Sequence, residues 1–180
     1  MTDTTAEDRL ERLLSRREIE EAVRRLAAEL DRDYAGLEPL LVGVLRGAFI
    51  FLADLVRQVR TPVGIDFMRI TSYEEGTQTS GRPRVAAGLP REAISGRHVV
   101  MVEDMVDTGL TTRAALRHLG RSRPASLRVC ALLDKPERRR VPVRIDYLGL
   151  TVPDRFLVGY GLDLDGRHRQ LPDIYAVERE

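Results

Sequence analysis

The most constraining feature of the sequence is an apolar run that leads directly into three carboxylates and a glycine. Residues 99–102 read Val-Val-Met-Val, the carboxylates are Glu103, Asp104 and Asp107, and the glycine is Gly109. An uninterrupted apolar run of this kind predicts a strand of a parallel sheet that is buried on both faces. Gly109 permits a tight turn after the strand. The stretch therefore predicts a strand, a turn and a helix, with acids at the carboxyl end of the strand.

The turn after this strand has the groups needed to bind an anion. Thr111 or Thr112 is predicted to cap the helix that follows, and the N-terminus of a helix favours negative charge. Acids in the same loop repel a phosphate group unless a metal ion or hydroxyl groups stand between them. This stretch alone leaves a second interpretation open, in which the acids are simply solvated at the end of the strand.

The whole stretch resembles the signature with which phosphoribosyltransferases hold 5-phosphoribosyl 1-diphosphate. The resemblance implies an α/β fold with a mainly parallel twisted sheet, helices on both faces and a small hood over the carboxyl ends of the strands. It also implies a set of ribose and 5′-phosphate contacts, made by Glu103, Asp104, Asp107, Thr108, Gly109, Leu110, Thr111 and Thr112.

A second apolar run, over residues 40–45, predicts a central strand, and a helix is predicted over residues 49–56. Arg46 and Gly47 lie between them, at a strand end where open α/β sheets bind ligands, although a plain turn would explain them as well. In hypoxanthine-type phosphoribosyltransferases this loop often reads Leu-Lys-Gly and binds pyrophosphate through its backbone, commonly at a strained peptide. The resemblance implies the same contact for Arg46 and Gly47, with arginine in place of the usual lysine.

The third predicted strand and the loop after it suggest a lid. Val63, Ile65 and Phe67 alternate with other residues, which predicts a half-buried strand. The polar stretch over residues 71–83 is long for a loop inside a compact domain. By the resemblance, Ser72 and Tyr73 belong to a flexible lid whose closure would exclude water from the reacting sugar.

Lys135 is the only lysine among 29 basic residues, and it follows a strand predicted over residues 126–133. The excess of arginine has a simple genomic explanation, but a position that remains lysine can require a compact ammonium group. Residues 137–140 read Glu-Arg-Arg-Arg and are predicted to be a solvated loop, because no aromatic residues are interleaved with the arginines. Cys130 is predicted to be a small buried hydrophobic residue.

Residues 152–163 resemble the hood segment Pro-Asp-x-Phe-x-Val-Gly-Tyr-x-Leu-Asp of hypoxanthine/guanine phosphoribosyltransferases. This match is more specific than the phosphate loop, since related transferases for other bases lack the segment. It implies that Phe156 stacks on the purine, that Leu157 offers backbone groups to the base, and that Asp163 binds Mg²⁺ beside the purine. Arg169 matches an arginine that contacts pyrophosphate. Taken one at a time, these residues could equally be core, turn and surface positions.

The resemblance implies Mg²⁺-dependent transfer of the 5-phosphoribosyl group to N9 of hypoxanthine, and of guanine, in purine salvage. Asp107 would be the general base at purine N7. Lys135 would donate to the 6-oxo group and so discriminate against adenine. The implied magnesium ligands are Asp163, Glu103 and Asp104, because Mg²⁺ prefers oxygen donors and commonly takes one or two carboxylates.

Composition argues against several other functions. The net charge of +1 gives no electrostatic footprint for nucleic acid, so small-molecule substrates are expected and nucleic acid is not. The apolar region over residues 40–56 is interrupted by Arg46 and Asp54 and is too broken to span a bilayer. A single cysteine and an acidic start without a signal-peptide pattern favour a reducing, cytoplasmic location. An RNA-binding regulator with the same fold, a xanthine-preferring transferase and a non-catalytic nucleotide-binding domain remain as alternatives.

The chain is predicted to form one domain over residues 1–180, with hood segments at about 1–20 and 150–180. Residues 1–14 are expected to be frayed and polar. The spacing of Ser15 and Glu18 is that of a capping box, which predicts a helix start. The resemblance implies a homodimer or a homotetramer.

Overall fold

The computed structural model describes residues 9–72 and 83–178 of the chain. The elements of these residues, in chain order, are β1 (Leu10–Leu14), α1 (Arg16–Asp33), β2 (Leu40–Leu45), α2 (Phe49–Gln58), β3 (Gly64–Ser72), β4 (Pro83–Ala87), α3 (Arg91–Ile94), β5 (His98–Val106), α4 (Leu110–Gly120), β6 (Ser126–Asp134), a 3₁₀ turn (Pro136–Arg138), β7 (Tyr147–Thr151), β8 (Leu157–Val158) and β9 (Ile174–Val177). Part of the predicted lid, including Tyr73, lies outside the described residues.

The main sheet has the strand order β4-β3-β2-β5-β6-β7. Its neighbours pair in parallel, except that β4 is antiparallel to β3. Parallel neighbours require crossover connections, and α2 and α4 supply two of them. The predicted α/β fold with a mainly parallel sheet is confirmed. Because β2 and β5 are adjacent, the loops that follow them meet at the same edge.

Both faces of the central strands are covered, which explains the uninterrupted apolar runs. Val100 and Val102 of β5 pack in one core cluster with α1 and α2. Val99 and Met101 point to the opposite face and pack in a second cluster with α4. Cys130 is fully buried in the first cluster, as predicted.

Helix α1 begins as its sequence predicts. The Ser15 side chain accepts from the Glu18 backbone N–H, and the Glu18 carboxylate accepts from the Ser15 N–H at 2.8 Å, which completes the capping box. The residues before it differ from the prediction, because Leu10–Leu14 form β1 instead of a frayed start. This strand pairs with β9, more than 150 positions later in the chain, so no local pattern announces it.

A second, antiparallel sheet of order β1-β9-β8 faces the carboxyl edge of the main sheet. We call these three strands the hood sheet. The segments predicted to form a hood, 1–20 and 150–180, contain the three strands, and the first segment also contains the start of α1. The division of the chain into a core and a hood remains a prediction.

The prediction for β3 is wrong about which face of the strand is buried. Ile65 and Phe67 are 49% and 43% exposed, whereas Met68 on the opposite face is 1% exposed. Helix α2 packs mainly over β2 and β5, so it leaves the side of β3 that carries Ile65 and Phe67 uncovered.

None of the helices among residues 9–72 and 83–178 combines the length and the hydropathy that a membrane-spanning helix needs.

Candidate active site

Two cavities open at the carboxyl edge of the main sheet. The larger has a volume of ≈ 650 Å³ and lies between this edge and the hood sheet. The smaller, of ≈ 240 Å³, lies over the loop between β5 and α4. Gly47, Asp104, Met105 and Asp107 line both cavities, so the two form one continuous site.

The cavities bring together most of the residues predicted from the sequence. The larger is lined by Arg46, Gly47, Asp104, Asp107, Lys135, Phe156, Leu157, Asp163 and Arg169. The smaller is lined by Gly47, Glu103, Asp104, Asp107, Thr108, Gly109, Thr111 and Thr112. Leu110, the first residue of α4, lines neither cavity.

The loop before α4 bends at Gly109, which has a left-handed conformation with φ 81°. A Cβ atom there would lie 2.9 Å from the carbonyl oxygen of Val141, so both conformation and space require glycine. Gly109 is the N-cap of α4 and, as a glycine, has no side chain with which to cap the helix. The prediction that Thr111 or Thr112 is the cap is therefore wrong. In the first helical turn, the Leu110 N–H donates to the Thr108 hydroxyl at 3.4 Å, beside the smaller cavity.

Glu103 turns away from the larger cavity into the protein. It is 2% exposed, and its carboxylate accepts a hydrogen bond from the Thr112 hydroxyl at 2.6 Å. Burial raises the pKa of Glu103 to about 8, with the Thr112 hydrogen bond opposing and the charge of Asp104 adding to the rise. In the absence of ligands, Glu103 therefore holds its proton at neutral pH.

Asp104 is half-buried and stands against the loop after β2. A Cβ atom at Gly47 would lie 1.6 Å from Asp104 Oδ2, so only glycine allows this approach. Burial raises the pKa of Asp104 to about 6, opposed by hydrogen bonds from the Met105 and Asp104 backbone and by the charge of Arg169. The Leu45–Arg46 peptide beside it is cis.

Asp107 is paired with an arginine that the sequence did not identify as part of the site. Arg138 Nε lies 2.9 Å from Asp107 Oδ1, and Arg138 Nη1 lies 3.2 Å from Asp154 Oδ1. Arg139 pairs with the Asp134 carboxylate. Glu137, Arg138 and Arg140 are exposed, as predicted for a solvated loop, but Arg138 and Arg139 also turn back toward strand ends. Neither aromatic spacing nor periodicity gives a signal for that.

Lys135 is 3% exposed, although it lines the larger cavity. Its ammonium group donates to the carbonyl oxygen of Arg155 at 2.6 Å, immediately before Phe156. Burial lowers the pKa of Lys135, and the nearby charge of Asp107 opposes this shift. The sole lysine therefore links the end of β6 to the hood segment.

Phe156 and Leu157 form the opposite wall of the larger cavity. The side chain of Phe156 is 39% exposed, so this residue is not part of the core. Leu157 is 3% exposed and pairs with Ala176 in the hood sheet. The Phe156 ring therefore lines the cavity next to the start of β8, whose position is fixed by backbone pairing in the hood sheet.

Asp163 and Arg169 form an ion pair, with Asp163 Oδ1 2.5 Å from Arg169 Nη2. Arg169 Nη1 also donates to the carbonyl oxygen of Gly161 at 2.5 Å. Gly161 has φ 100°, and a Cβ atom there would lie 2.2 Å from the Gly47 carbonyl oxygen. The hood loop that carries Arg169 is therefore packed directly on the loop after β2.

The carboxylates do not form a ready-made metal cage. In the part of the chain that the structure describes, no three His, Cys, Asp or Glu side chains are grouped closely enough to hold a metal ion. Asp104 and Asp163 nevertheless line the same cavity. Mg²⁺ is usually bound by one or two carboxylates together with substrate phosphates. The donor set of this cavity fits that mode of binding.

Comparison with known proteins agrees with the site. Residues 9–165 match the model of the phosphoribosyl transferase domain. The hypoxanthine-guanine phosphoribosyltransferase of Aquifex aeolicus is 43% identical over 171 residues, which cover 94% of this chain and 96% of that protein. The hypoxanthine phosphoribosyltransferase of Haemophilus influenzae is 41% identical, with 93% and 95% covered.

Solved structures give the same result. A hypoxanthine-guanine phosphoribosyltransferase from Bacillus anthracis superimposes with a TM-score of 0.88 at 39% identity, covering 96% of this chain and 100% of that one. A hypoxanthine phosphoribosyltransferase from Staphylococcus aureus gives 0.86 at 34% identity, covering 99% and 96%. The chain therefore belongs to the phosphoribosyltransferase family and, within it, to the hypoxanthine(-guanine) phosphoribosyltransferases.

Proposed function

We propose that this enzyme transfers the 5-phosphoribosyl group of 5-phosphoribosyl 1-diphosphate to N9 of hypoxanthine or guanine, giving IMP or GMP and pyrophosphate. One observation carries the proposal. The loop from Asp107 to Thr112, the ammonium group of Lys135 and the exposed face of Phe156 all line one continuous site. An anion subsite, a hydrogen-bond donor and a flat apolar wall are the three features that a 6-oxopurine nucleotide requires.

The 5′-phosphate is proposed to bind in the smaller cavity. Backbone N–H groups and hydroxyls of residues 108–112 would surround it at the N-terminus of α4, where negative charge is favoured. Glu103 and Asp104 would contact the ribose hydroxyls. Glu103 can do so only after its carboxylate leaves the Thr112 hydroxyl, since the two are hydrogen-bonded at 2.6 Å.

The pyrophosphate is proposed to leave between the loop after β2 and the hood. Arg46 and Gly47 line the larger cavity on one side, and Arg169 lines it on the other. Arg169 is half-buried and already positioned by Asp163, so little side-chain entropy is lost when it contacts the anion. These cationic and backbone donors would stabilise the negative charge that develops on the leaving group.

The purine is proposed to lie between Phe156 and Lys135. Lys135 would donate to the 6-oxo group through an N–H that the Arg155 carbonyl oxygen does not use, and an amino group at that position would leave this N–H without an acceptor. Leu157 would offer its backbone groups to the base edge, and Asp163 would border the ring. Asp107 would accept the proton from N7 as the bond from N9 to the sugar forms.

Magnesium is the proposed cofactor, held by Asp163 and Asp104 together with oxygens of the diphosphate sugar, with Glu103 as a further carboxylate. When bound there, the ion would neutralise charge on the diphosphate. Ser72 and Tyr73 are proposed to close over the site as a lid, which would keep water from the sugar cation.

We also propose that the protein is a cytoplasmic homodimer or homotetramer. Phe49, Ile65 and Phe67 lie on the α2 side of the sheet and are 43%, 49% and 43% exposed. Covering apolar side chains of this size against a second copy would be favourable. Sedimentation of the wild type and of Phe67→Glu tests this, because a charge in the interface should produce monomers.

The proposed reaction is tested by mixing the purified protein with 5-phosphoribosyl 1-diphosphate, Mg²⁺ and one purine at a time. Absorbance should show nucleotide formation with hypoxanthine and guanine but not with adenine. Faster turnover of xanthine than of hypoxanthine would instead favour a xanthine-preferring transferase. RNA binding without turnover of any purine would favour a regulator.

A further inference from the structure

Arg138 stands between two carboxylates that line the larger cavity. Its Nε atom is 2.9 Å from Asp107 Oδ1, at the end of β5. Its Nη1 atom is 3.2 Å from Asp154 Oδ1, in the segment that leads to Phe156. All three side chains line the cavity proposed to hold the purine. The guanidinium therefore connects the proposed base to the segment carrying the stacking ring.

The backbone holds Arg138 in this position. The Lys135 N–H donates to the Val106 carbonyl oxygen at 3.0 Å, and the Arg140 N–H donates to the Thr108 carbonyl oxygen at 3.0 Å. These bonds flank the 3₁₀ turn Pro136–Arg138 and attach it to the loop that carries Asp107. Arg138 thus faces Asp107 because backbone hydrogen bonds on both sides of Arg138 attach its turn to the loop after β5.

The ion pair is poorly suited to a purely structural role. The side chains of Arg138 and Asp107 are 43% and 34% exposed, and ion pairs this exposed contribute little to stability. Asp107 Oδ1 is itself buried and accepts no aligned hydrogen bond within the described residues, so its contact with Arg138 is electrostatic. Lys135 is a second cation whose charge interacts with that of Asp107.

We propose that Arg138 is a positioning residue for the transfer reaction. It holds the Asp107 carboxylate in place beside the cavity, and it fixes the distance between that carboxylate and the Phe156 segment through Asp154. When Asp107 accepts the N7 proton, an O–H bond forms at its carboxylate, and the N–H electron pair returns to the purine ring. The charge of Arg138 then remains paired with Asp154. This inference rests on the proposed role of Asp107.

Arg138→Gln is the direct test. We expect kcat to fall about 10–100-fold, the size of a loss from a misplaced catalytic group, while the KM for 5-phosphoribosyl 1-diphosphate stays within about twofold. Denaturant unfolding of the variant should match that of the wild type, because an ion pair this exposed contributes little to stability. Arg138→Lys keeps the charge but cannot reach both carboxylates, so its kcat should be intermediate.

Arg140→Gln is the matched control, because Arg140 is an exposed arginine two positions away whose contact with the Asp107 loop comes from the backbone. It should keep wild-type kinetics. A wild-type kcat in Arg138→Gln would overturn the inference. If that variant does not fold, Arg138→Lys decides: a lowered kcat supports the inference, and a wild-type kcat overturns it.

The double variant separates this inference from the proposed function. In an Asp107→Asn background, Arg138→Gln should cause no further loss of kcat, because the carboxylate on which it acts is gone. Additive losses would show that Arg138 acts elsewhere. Unchanged activity in Asp107→Asn alone would instead contradict the proposed role of Asp107, whatever the result for Arg138.

Discussion

Each carboxylate at the end of β5 has a different neighbour. Glu103 is bonded to the Thr112 hydroxyl, Asp104 stands against Gly47, and Asp107 is paired with Arg138. The first two have raised pKa values because they are buried, whereas Asp107 faces the larger cavity beside a cation. Three carboxylates within one short stretch therefore have different surroundings. The residue that distinguishes Asp107, Arg138, comes from the turn after β6.

Asp107→Asn should lower kcat sharply, by about 10²–10⁴-fold, since asparagine cannot accept the purine proton. The KM for 5-phosphoribosyl 1-diphosphate should change little, because the substitution keeps the size of the side chain. Steady-state kinetics at saturating hypoxanthine measure both quantities. A large rise in KM at unaltered kcat would make Asp107 a binding residue instead of a base.

Glu103→Gln should reverse part of the loss of stability that the ligand-free protein suffers as the pH rises from 4.5 to about 8. The pKa of Glu103 is about 8 in the folded protein against an ordinary value of 4.5. Between these values the folded protein retains a proton that the unfolded chain has lost, so stability falls as pH rises. Glutamine removes this effect and can still accept the Thr112 hydrogen bond.

The gain from Glu103→Gln should grow between pH 4.5 and about 8, by at most roughly 1.4 kcal/mol per pH unit, and then level off. Denaturant unfolding at a series of pH values, without substrate or Mg²⁺, measures it. Glu137→Gln, at an exposed position of the 3₁₀ turn, should follow the wild-type curve. Parallel curves for Glu103→Gln and wild type would show that burial of the Glu103 charge does not affect stability.

Lys135→Arg should reduce kcat/KM for hypoxanthine by about 10–100-fold, although it preserves the charge. The Lys135 ammonium is 3% exposed and donates to the Arg155 carbonyl oxygen at 2.6 Å, which leaves little room for a planar guanidinium. Arg144→Lys, at a position whose side chain is 88% exposed, is the reciprocal control and should be silent. Wild-type kcat/KM for hypoxanthine in Lys135→Arg would show that the reaction does not require a lysine at this position.

The loops after β2 and β5 form one unit, because Asp104 occupies the space that a side chain at Gly47 would need. Gly47→Ala should therefore displace the β2–α2 loop and raise the KM for 5-phosphoribosyl 1-diphosphate by about 10-fold or more, at a cost of about 1–3 kcal/mol in stability. Gly120→Ala, where no atom lies within 4 Å, should leave kinetics unchanged and stabilise α4 slightly. A wild-type KM in Gly47→Ala would show that the β2–α2 loop does not contribute to pyrophosphate binding.

The sequence was most informative about the central elements. The strands β2, β5 and β6 are covered on both faces, so their apolar runs are uninterrupted and their loops fall at one sheet edge. It failed where distant segments decide the outcome. The pairing of β1 with β9 and the contact of Arg138 with Asp107 each depend on a partner far away in the chain. The exposure of Phe67 depends on helix α2, which does not extend over β3.

On the scale of the whole molecule, the site lies between two sheets whose buried side chains share one hydrophobic core cluster. The main sheet contributes the acids, Lys135 and the phosphate loop, and the hood contributes Phe156 and Arg169. Arg155 of the hood segment pairs with Glu11 of β1 at 2.5 Å, which ties the purine wall to the first described strand. The reaction proposed here requires both sheets to hold their relative position.

The central claim is that one purine nucleotide spans the two cavities, and a crystal structure with bound inosine monophosphate tests it most directly. We predict that the phosphate lies at residues 108–112 and that the purine lies between Phe156 and Lys135. A separate cavity of ≈ 370 Å³, lined by Arg16, Asp54 and Tyr160, offers an alternative place. Nucleotide bound there, with residues 108–112 left without phosphate, would contradict the account.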